Sequence, residues 1–387
     1  MFDRCLYERF DAPFPRENTE SAKWDDRAAF GNEKALPMWV ADMDFPTVPE
    51  VIKGLVERTI HGAFGYSTHG DLDRLALINW YKKRHALTVQ SEDILFCPGV
   101  VDGIYHTLCA LFEKGSRVVI QPPVYGPFFS MVEKAGMQVL ENPLIQADDG
   151  WKMDFNGLEE ILKRGAEAVL LCSPHNPVGR VWTMRELEQL CALADKYNTR
   201  VICDEIHADF ELGGGRHTCI LTVPGSENAV QLVSATKTFN LAALRHSAIL
   251  CRDAAAREKI QARLSEAMAD INLYGCLATR LAYEHGENWL DTLLSYLAES
   301  RDIMENALKK TGKLNPVHIE GTYLLWVDCR ALGMSNQELK AFFIQKAGII
   351  PSEGTFFGKQ GDGFIRLNLA TQHARIYEAI DRINAAL

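Results

Sequence analysis

The sequence predicts an α/β protein: a large domain with a mostly parallel central sheet flanked by helices, then a smaller α+β C-terminal domain. Three observations predict it. Short apolar runs recur along the middle of the chain and are continuous rather than alternating, as strands buried on both faces must be. Helical patterns separate most of these runs, as parallel strands require. Towards the C-terminus the order changes to two strand-like runs bracketing one helix.

Residues 1–45 read as an irregular arm with helical pieces that joins the small domain. Residues 46–285 form the large domain. Its strand runs are Ile94-Leu95-Phe96, Arg117-Val118-Val119-Ile120, Ala168-Val169-Leu170-Leu171, Val201-Ile202-Cys203, Val230-Gln231-Leu232-Val233 and Ala248-Ile249-Leu250-Cys251. The capping box Thr183-x-x-Glu186 opens a helix that runs to about Asn198. The run at 247–251 follows the preceding strand with too little chain for a helical crossover, which predicts an antiparallel neighbour. A long helical stretch is expected over 253–311. Leu290, Leu293, Leu294 and Leu297 recur on one face, and Gly312 is placed to end it. Residues 286–387 form the small domain, with strands around 323–329 and 364–369 and a helix opened by Ser335-x-x-Glu338.

The chain has 387 residues, 47% of them apolar, enough for a large core. A net charge of −10 without a basic run argues against nucleic acid as a partner. No apolar stretch reaches the roughly 18 residues of a membrane span, and Met1-Phe2-Asp3-Arg4-Cys5-Leu6 lacks the apolar core of a signal peptide. The ten cysteines form no C-x-x-C pairs, and Cys172, Cys203 and Cys251 sit inside apolar runs. Reduced, buried thiols in a cytoplasmic protein are the expectation. His61, His69 and His106 show no metal-ligand spacing, so no metal is expected. Gly213-Gly214-Gly215 reads as a loop, and no G-x-S-x-G nucleophile signature is present.

The chemistry concentrates in three segments. Ser173-Pro174-His175-Asn176-Pro177 and Val201-Ile202-Cys203-Asp204-Glu205-Ile206-His207 each follow an apolar strand, and Ser234-Ala235-Thr236-Lys237 follows another, with Arg245 eight residues beyond Lys237. Together these groups fit an aldehyde-bearing pyridine with a phosphate, pyridoxal phosphate. Lys237 would condense with the aldehyde. Asp204 would hold the proton on the pyridine nitrogen, and the Asn176 amide would face the ring hydroxyl. Ser234, Thr236 and Arg245 are spaced to take the phosphate. Gly99-Val100-Val101 opens a helix after a strand, and the N–H groups of Val100 and Val101 are a natural anion site for the same phosphate. Asn176 and Asp204 fall just past strand ends, where open parallel sheets bind their ligands. Each residue alone has an ordinary reading: a surface lysine, a turn asparagine, a capping aspartate. No chemistry falls to Glu205, which reads as a pairing partner for another residue.

With these motifs the chain resembles the class I/II aminotransferase superfamily of fold-type I pyridoxal-phosphate enzymes, and within it the MalY/PatB-type cystathionine β-lyases (C–S lyases). The likeness runs from Met38-Trp39-Val40-Ala41-Asp42-Met43-Asp44-Phe45 to Gly363-Phe364-Ile365-Arg366-Leu367-Asn368-Leu369. It implies that Tyr125 stacks on the cofactor ring and that Arg366 grips the substrate α-carboxylate, which its planar fork can do in a bidentate way. It implies that His207 stands where many aminotransferases place a tyrosine facing the ring hydroxyl, and that Trp39 belongs to the substrate wall. Tyr66 resembles the tyrosine that reaches the phosphate of a neighbouring subunit, which implies a homodimer with shared sites.

The activity implied is β-elimination on a small-molecule amino acid, an L-cysteine S-conjugate such as cystathionine, giving a thiol, pyruvate and ammonia. An aminotransferase is the alternative, since the same residues serve both reactions up to removal of the Cα proton. A regulatory or partner-binding protein on the same fold is the second, and the intact Lys237, Asp204 and Arg366 speak against a purely non-catalytic one.

Overall fold

A seven-stranded sheet forms the centre of the molecule: β1 (Ile94–Cys97), β2 (Arg117–Ile120), β3 (Gln138–Glu141), β4 (Ala168–Cys172), β5 (Arg200–Asp204), β6 (Val230–Val233) and β7 (Ser247–Cys251). The computed structural model describes residues 3–68, 70–147, 150–213 and 216–387; His69 and Gly214-Gly215 lie outside them. The spatial order is β1-β7-β6-β5-β4-β2-β3. β2 to β6 pair in parallel, while β7 runs antiparallel to both β1 and β6, as the short connection after β6 dictates. Every residue of β4, β6 and β7 is buried, which explains their unbroken apolar character.

Helices cover both faces. Thr183 and Glu186 make the expected reciprocal cap, and the helix they open spans Met184–Lys196. The expectation of one helical stretch over 253–311 is corrected: the chain forms three helices, Ala254–Glu266, Leu273–His285 and Glu287–Lys310. Asn272 breaks the first interval by capping the second helix through Gly275 N–H. Gly286 marks the second break, where a Cβ would lie 2.3 Å from the Phe239 ring and 2.4 Å from the Ala282 carbonyl. Apolar periodicity carries across both breaks, so it could not reveal them. Gly312, at φ +65°, does follow the last helix.

A second sheet of four antiparallel strands lies towards the C-terminus: β8 (Asn315–Pro316), β9 (Leu324–Asp328), β10 (Ser352–Glu353) and β11 (Phe364–Asn368), in the order β8-β9-β11-β10. The capping box of Ser335 and Glu338 opens the helix Asn336–Ala341 between β9 and β10. The N-terminal arm reaches this region: Leu36–Pro37 pairs in parallel with Ile349–Ile350. From there residues 38–45 cross to the central sheet as a strap without regular structure.

The strap is anchored at its far end by a buried charge. Asp44 and Lys23 are each 1% exposed in their side chains and meet at 3.0 Å. Trp24 Nε1 donates to Asp44 Oδ1 at 2.8 Å, and Arg375 and Arg16 approach at 3.4 and 3.5 Å. Burial alone would raise the Asp44 pKa; Lys23, Trp24 and Arg375 outweigh it and hold the carboxyl below its ordinary 3.8. Removing the charge leaves Lys23 buried opposite a neutral partner. Asp44→Asn is expected to cost about 3–5 kcal/mol in urea unfolding at neutral pH. A group with a depressed folded-state pKa stabilises above its unfolded value and loses that contribution as the pH falls through the folded one. The gap between wild type and variant should therefore narrow below 3.8.

Candidate active site

The carboxyl ends of β4, β5 and β6 open into a cavity of about 1010 Å³, closed on its other side by the strap and by β10 and β11. Its walls include Trp39, Gly99, Val100, Val101, Tyr125, Asn176, Asp204, His207, Thr236, Lys237, Arg245 and Arg366. Residues far apart in sequence meet because parallel strands deliver their ends to one edge. Lys237 rides on the one-turn helix Ala235–Thr238 that follows β6.

Burial sets the electrostatics. Lys237 is pushed down to about 8, first by desolvation and then by Arg366, against the opposing pull of Asp42 and Asp204. Its Nζ donates to the Ala41 carbonyl, which also accepts from Tyr323 Oη at 3.0 Å. Asp204 is pushed up to about 7 by burial, with Glu205 adding to the rise. Among the described residues its carboxylate takes one hydrogen bond, from Ile206 N–H at 3.0 Å. His207 is buried and pushed down to about 3 by desolvation, Lys237 and Arg366, so its imidazole is neutral. Arg366 Nη1 donates to Asn176 Oδ1 at 3.0 Å, and its Nη2 donates to Trp39 O at 2.7 Å and Ser352 Oγ at 3.0 Å. The guanidinium lies over the Phe357 ring at 4.9 Å, and its buried Nε has no acceptor among the described residues.

The strap owes its shape to side chains, because it has no ladder to satisfy its backbone. Every carbonyl from Trp39 to Phe45 accepts from one. Ser352 and Arg366 take Trp39 O; Asn368 takes Val40 O and Asp42 O. Asn240 takes Met43 O and Phe45 O at 3.0 and 2.9 Å, Arg16 also takes Met43 O, and Gln372 takes Asp44 O at 2.6 Å. Asn240 manages this from the left-handed region, at φ +58°, which asparagine tolerates better than most residues.

Three expected residues sit differently from the rest. Ser234 is absent from the cavity wall. Its hydroxyl accepts from Thr236 N–H as the cap of the lysine helix, donates to His246 O at 2.7 Å and lies 2.7 Å from Thr236 Oγ1. Arg245 reaches the wall but is largely exposed and pairs with Asp102 at 3.1 Å, beside the helix Val100–Leu111. Tyr66 is fully exposed on the connection between helices Pro49–His61 and Asp71–His85, outside this chain's cavity. Glu205 is a pairing partner, bonded to His217, Gln231 and Ile220 N–H. Reading the sequence missed Asn240, Asn368, Tyr323 and Ser352. The two asparagines carried a usable signal: each follows an assigned residue by two or three positions, where a polar side chain interrupts apolar sequence.

The residues present fit pyridoxal phosphate. A buried carboxylate driven towards neutrality needs a cation against it, which a protonated pyridine nitrogen is. An amine held near pH 8 can condense with an aldehyde, and the unpartnered Arg366 Nε–H faces the needs of a substrate carboxylate. Helix-start N–H groups at Val100 and Val101 border the cavity at one end. Comparison with known proteins agrees. The family model "Aminotransferase class I and II" matches residues 34–383. The chain belongs to the class I and II aminotransferase family. Its relatives place it in the cystathionine β-lyase branch. It is 38% identical to cystathionine β-lyase PatB of Bacillus subtilis, covering 98% of this chain and 99% of that protein. It is 31% identical to protein MalY of Escherichia coli, covering 98% and 97%. The crystal structure of cystalysin from Treponema denticola, which contains pyridoxal 5'-phosphate, superposes with a TM-score of 0.94 at 30% identity, over 100% of this chain and 98% of that one.

In this family member the depressed Lys237 pKa has a thermodynamic consequence. Between about 8 and 10.5 the unfolded chain binds a proton at this site that the folded chain does not, so stability rises with pH across that window. Below it the folded state carries a poorly solvated ammonium. Cofactor-free Lys237→Met is expected to unfold at higher urea concentration than cofactor-free wild type at pH 7, with the difference shrinking as the pH approaches 10.5.

Proposed function

We infer that this protein is a pyridoxal-phosphate-dependent carbon–sulfur β-lyase that cleaves cystathionine and related L-cysteine S-conjugates to a thiol, pyruvate and ammonia. The observation that carries this reading is one cavity in which an amine of lowered pKa, a buried acid and a carboxylate-binding arginine converge. The name of the PatB relative supplies the sulfur chemistry.

Bound in this cavity, pyridoxal phosphate supplies an electron sink for the pair left on Cα when its proton is removed. Asp204 would face the ring nitrogen and keep it protonated. Asn176 and His207 would border the ring oxygen, Tyr125 the ring face, and Val100, Val101, Thr236 and Arg245 the phosphate. Arg366 would hold the substrate carboxylate and so orient the Cα proton towards Lys237. Lys237 takes the Cα proton; with a pKa of about 8 it is a competent base near neutral pH, and Ala41 O gives its ammonium an acceptor. The pair from Cα would then close a Cα=Cβ double bond as the Cβ–S pair leaves on sulfur; the thiolate takes up a proton, and water hydrolyses the released aminoacrylate to pyruvate and ammonia. The strap, held at every carbonyl, keeps Trp39 over the substrate side and limits water.

We further propose a homodimer acting in the cytoplasm. Ile52, Val56 and Ile60, which share one face of the helix Pro49–His61, together with Phe64, Tyr66, Leu72 and Leu75 further along the chain, are exposed apolar side chains. A second copy covering this face would bring Tyr66 to the partner's phosphate. No helix among the described residues is long and apolar enough to cross a membrane.

Purified holoprotein given cystathionine is expected to release thiol and pyruvate in equal amounts; amino transfer to a keto acid without thiol would establish the aminotransferase instead. Arg366→Lys, which keeps the charge and loses the fork, should lower kcat/KM about 100-fold, mostly through KM. Sedimentation of wild type should give a dimer, and Ile60→Glu, with its charge placed in the covered face, a monomer of low activity that loses cofactor faster on gel filtration.

A further inference from the structure

Asp209 lies behind the cavity wall, 3% exposed and out of contact with the cavity. Three donors converge on it. Trp80 Nε1 and His85 Nε2 reach Oδ1 at 3.1 and 2.9 Å, and Thr238 Oγ1 reaches Oδ2 at 2.7 Å. A carboxylate only accepts, so His85 carries its proton on Nε2, facing Asp209. Burial alone would neutralise the group; His85 and Thr238 outweigh it and hold the carboxyl below the usual range. A buried charge with this many donors is costly to assemble, and its location says what it does.

Thr238 directly follows Lys237 and is the last residue of the lysine helix. That helix is one turn long and too short to hold its own orientation. Asp209 belongs to the segment that leaves β5 and carries Asp204 and His207. One carboxylate therefore joins the segment bearing the acid to the helix bearing the amine. Trp80 and His85 fix that carboxylate from the helix Asp71–His85, a third element.

We propose that Asp209 is a positioning residue: through Thr238 it sets the lysine helix against the Asp204 segment, so that the Lys237 amine and the Asp204 carboxylate meet the same cofactor ring from fixed directions. The proposal rests on the reading that Lys237 carries the cofactor. The bland counterpart is a satisfied core cluster whose loss lowers stability and leaves the geometry of the bound ring unchanged. Displacing a reacting group by about 1 Å can cost about 100-fold in rate, so a positioning contact should act on kcat rather than on folding.

The test uses holoenzyme carrying Thr238→Val, Thr238→Ser, Asp209→Asn or Lys237→Ala. It reads the visible circular dichroism of the bound cofactor, kcat and KM on cystathionine, and the melting temperature. Thr238→Val, nearly equal in volume but without the hydroxyl, is expected to weaken the visible dichroism and lower kcat about 10- to 100-fold with KM changed less than about threefold. Thr238→Ser should restore both, and Asp209→Asn should follow Thr238→Val. Wild-type dichroism in Thr238→Val overturns the proposal, whether kcat is unchanged or lowered. So does equal impairment in the valine and serine variants, or a fall in melting temperature alone. If Asp209→Asn does not fold, the Thr238 pair decides. Lys237→Ala separates the two levels: retention of the visible band there sinks the underlying assignment of Lys237, whereas its loss alongside a wild-type-like Thr238→Val sinks only the positioning role.

Discussion

Desolvation in one cavity acts on two groups of opposite charge, and the site is built around that conflict. The same burial pushes the Lys237 amine down to about 8 and the Asp204 carboxyl up to about 7, each towards its neutral form. Each charge offsets only part of the other's desolvation, and among the described residues the two make no direct pair: the amine donates to the Ala41 carbonyl and the carboxylate accepts from Ile206 N–H. A flat molecule with an electrophilic carbon at one edge and a basic nitrogen at the other resolves both strains at once. It consumes the amine, which then need not be charged, and it supplies the cation that the carboxylate lacks. The protein thus stores as poor solvation part of what it recovers on binding the ring.

The strap of residues 39–45 forms one wall of this cavity, and it does so with backbone as well as with side chains. An irregular segment beside an apolar cavity would ordinarily leave carbonyls without donors, at a cost of about 1–3 kcal/mol each. Here every carbonyl from Trp39 to Phe45 is met by a side chain. The donors come from β10 and β11, from Lys237 and Asn240 just past it, from Tyr323 before β9, from Gln372 at the start of the helix His373–Ala386, and from Arg16 in the N-terminal arm. Asp44 adds a buried charge that four cationic or N–H donors hold. Arg366 joins the two, gripping the strap at Trp39 O with the same guanidinium that would grip a substrate, so a hydrogen bond ties the substrate wall directly to the carboxylate site.

The parts of this design that were legible in the sequence are those that depend on residue type at a strand end. Asn176, Asp204 and Lys237 each terminate an apolar run, and the sheet's parallel order follows from the helical spacing between those runs. The antiparallel β7 could be read from a connection too short to cross. Illegible were the contacts between segments that neither periodicity nor spacing links. Ser234 flanks Lys237 in sequence, but that it also caps the short lysine helix and donates to His246 O depends on where the chain returns at residue 246. The breaks at 267–272 and at Gly286 were hidden because apolar residues keep helical spacing on either side of them. The Gly286 break answers to Phe239, a residue in another part of the chain. Asp209 gave no sign because its three donors come from residues 80, 85 and 238.

The helix Asp71–His85 connects these levels. Its inward residues Trp80 and His85 hold Asp209, and through it the lysine helix. Its residues Leu72 and Leu75 are exposed, as is Tyr66 just before it in the chain, and they belong to the face proposed above for a second subunit. A subunit docking on that face would load the same helix that orients the amine, and would bring a tyrosine to the phosphate end of the neighbouring cavity. Cofactor geometry and assembly would then share one rigid element. An isolated subunit would, on that reading, lack the partner's tyrosine at its phosphate site. Under the proposed dimer, the exposed apolar side chains would be taken out of water by the same contact that completes the phosphate site, which would couple association to catalytic competence.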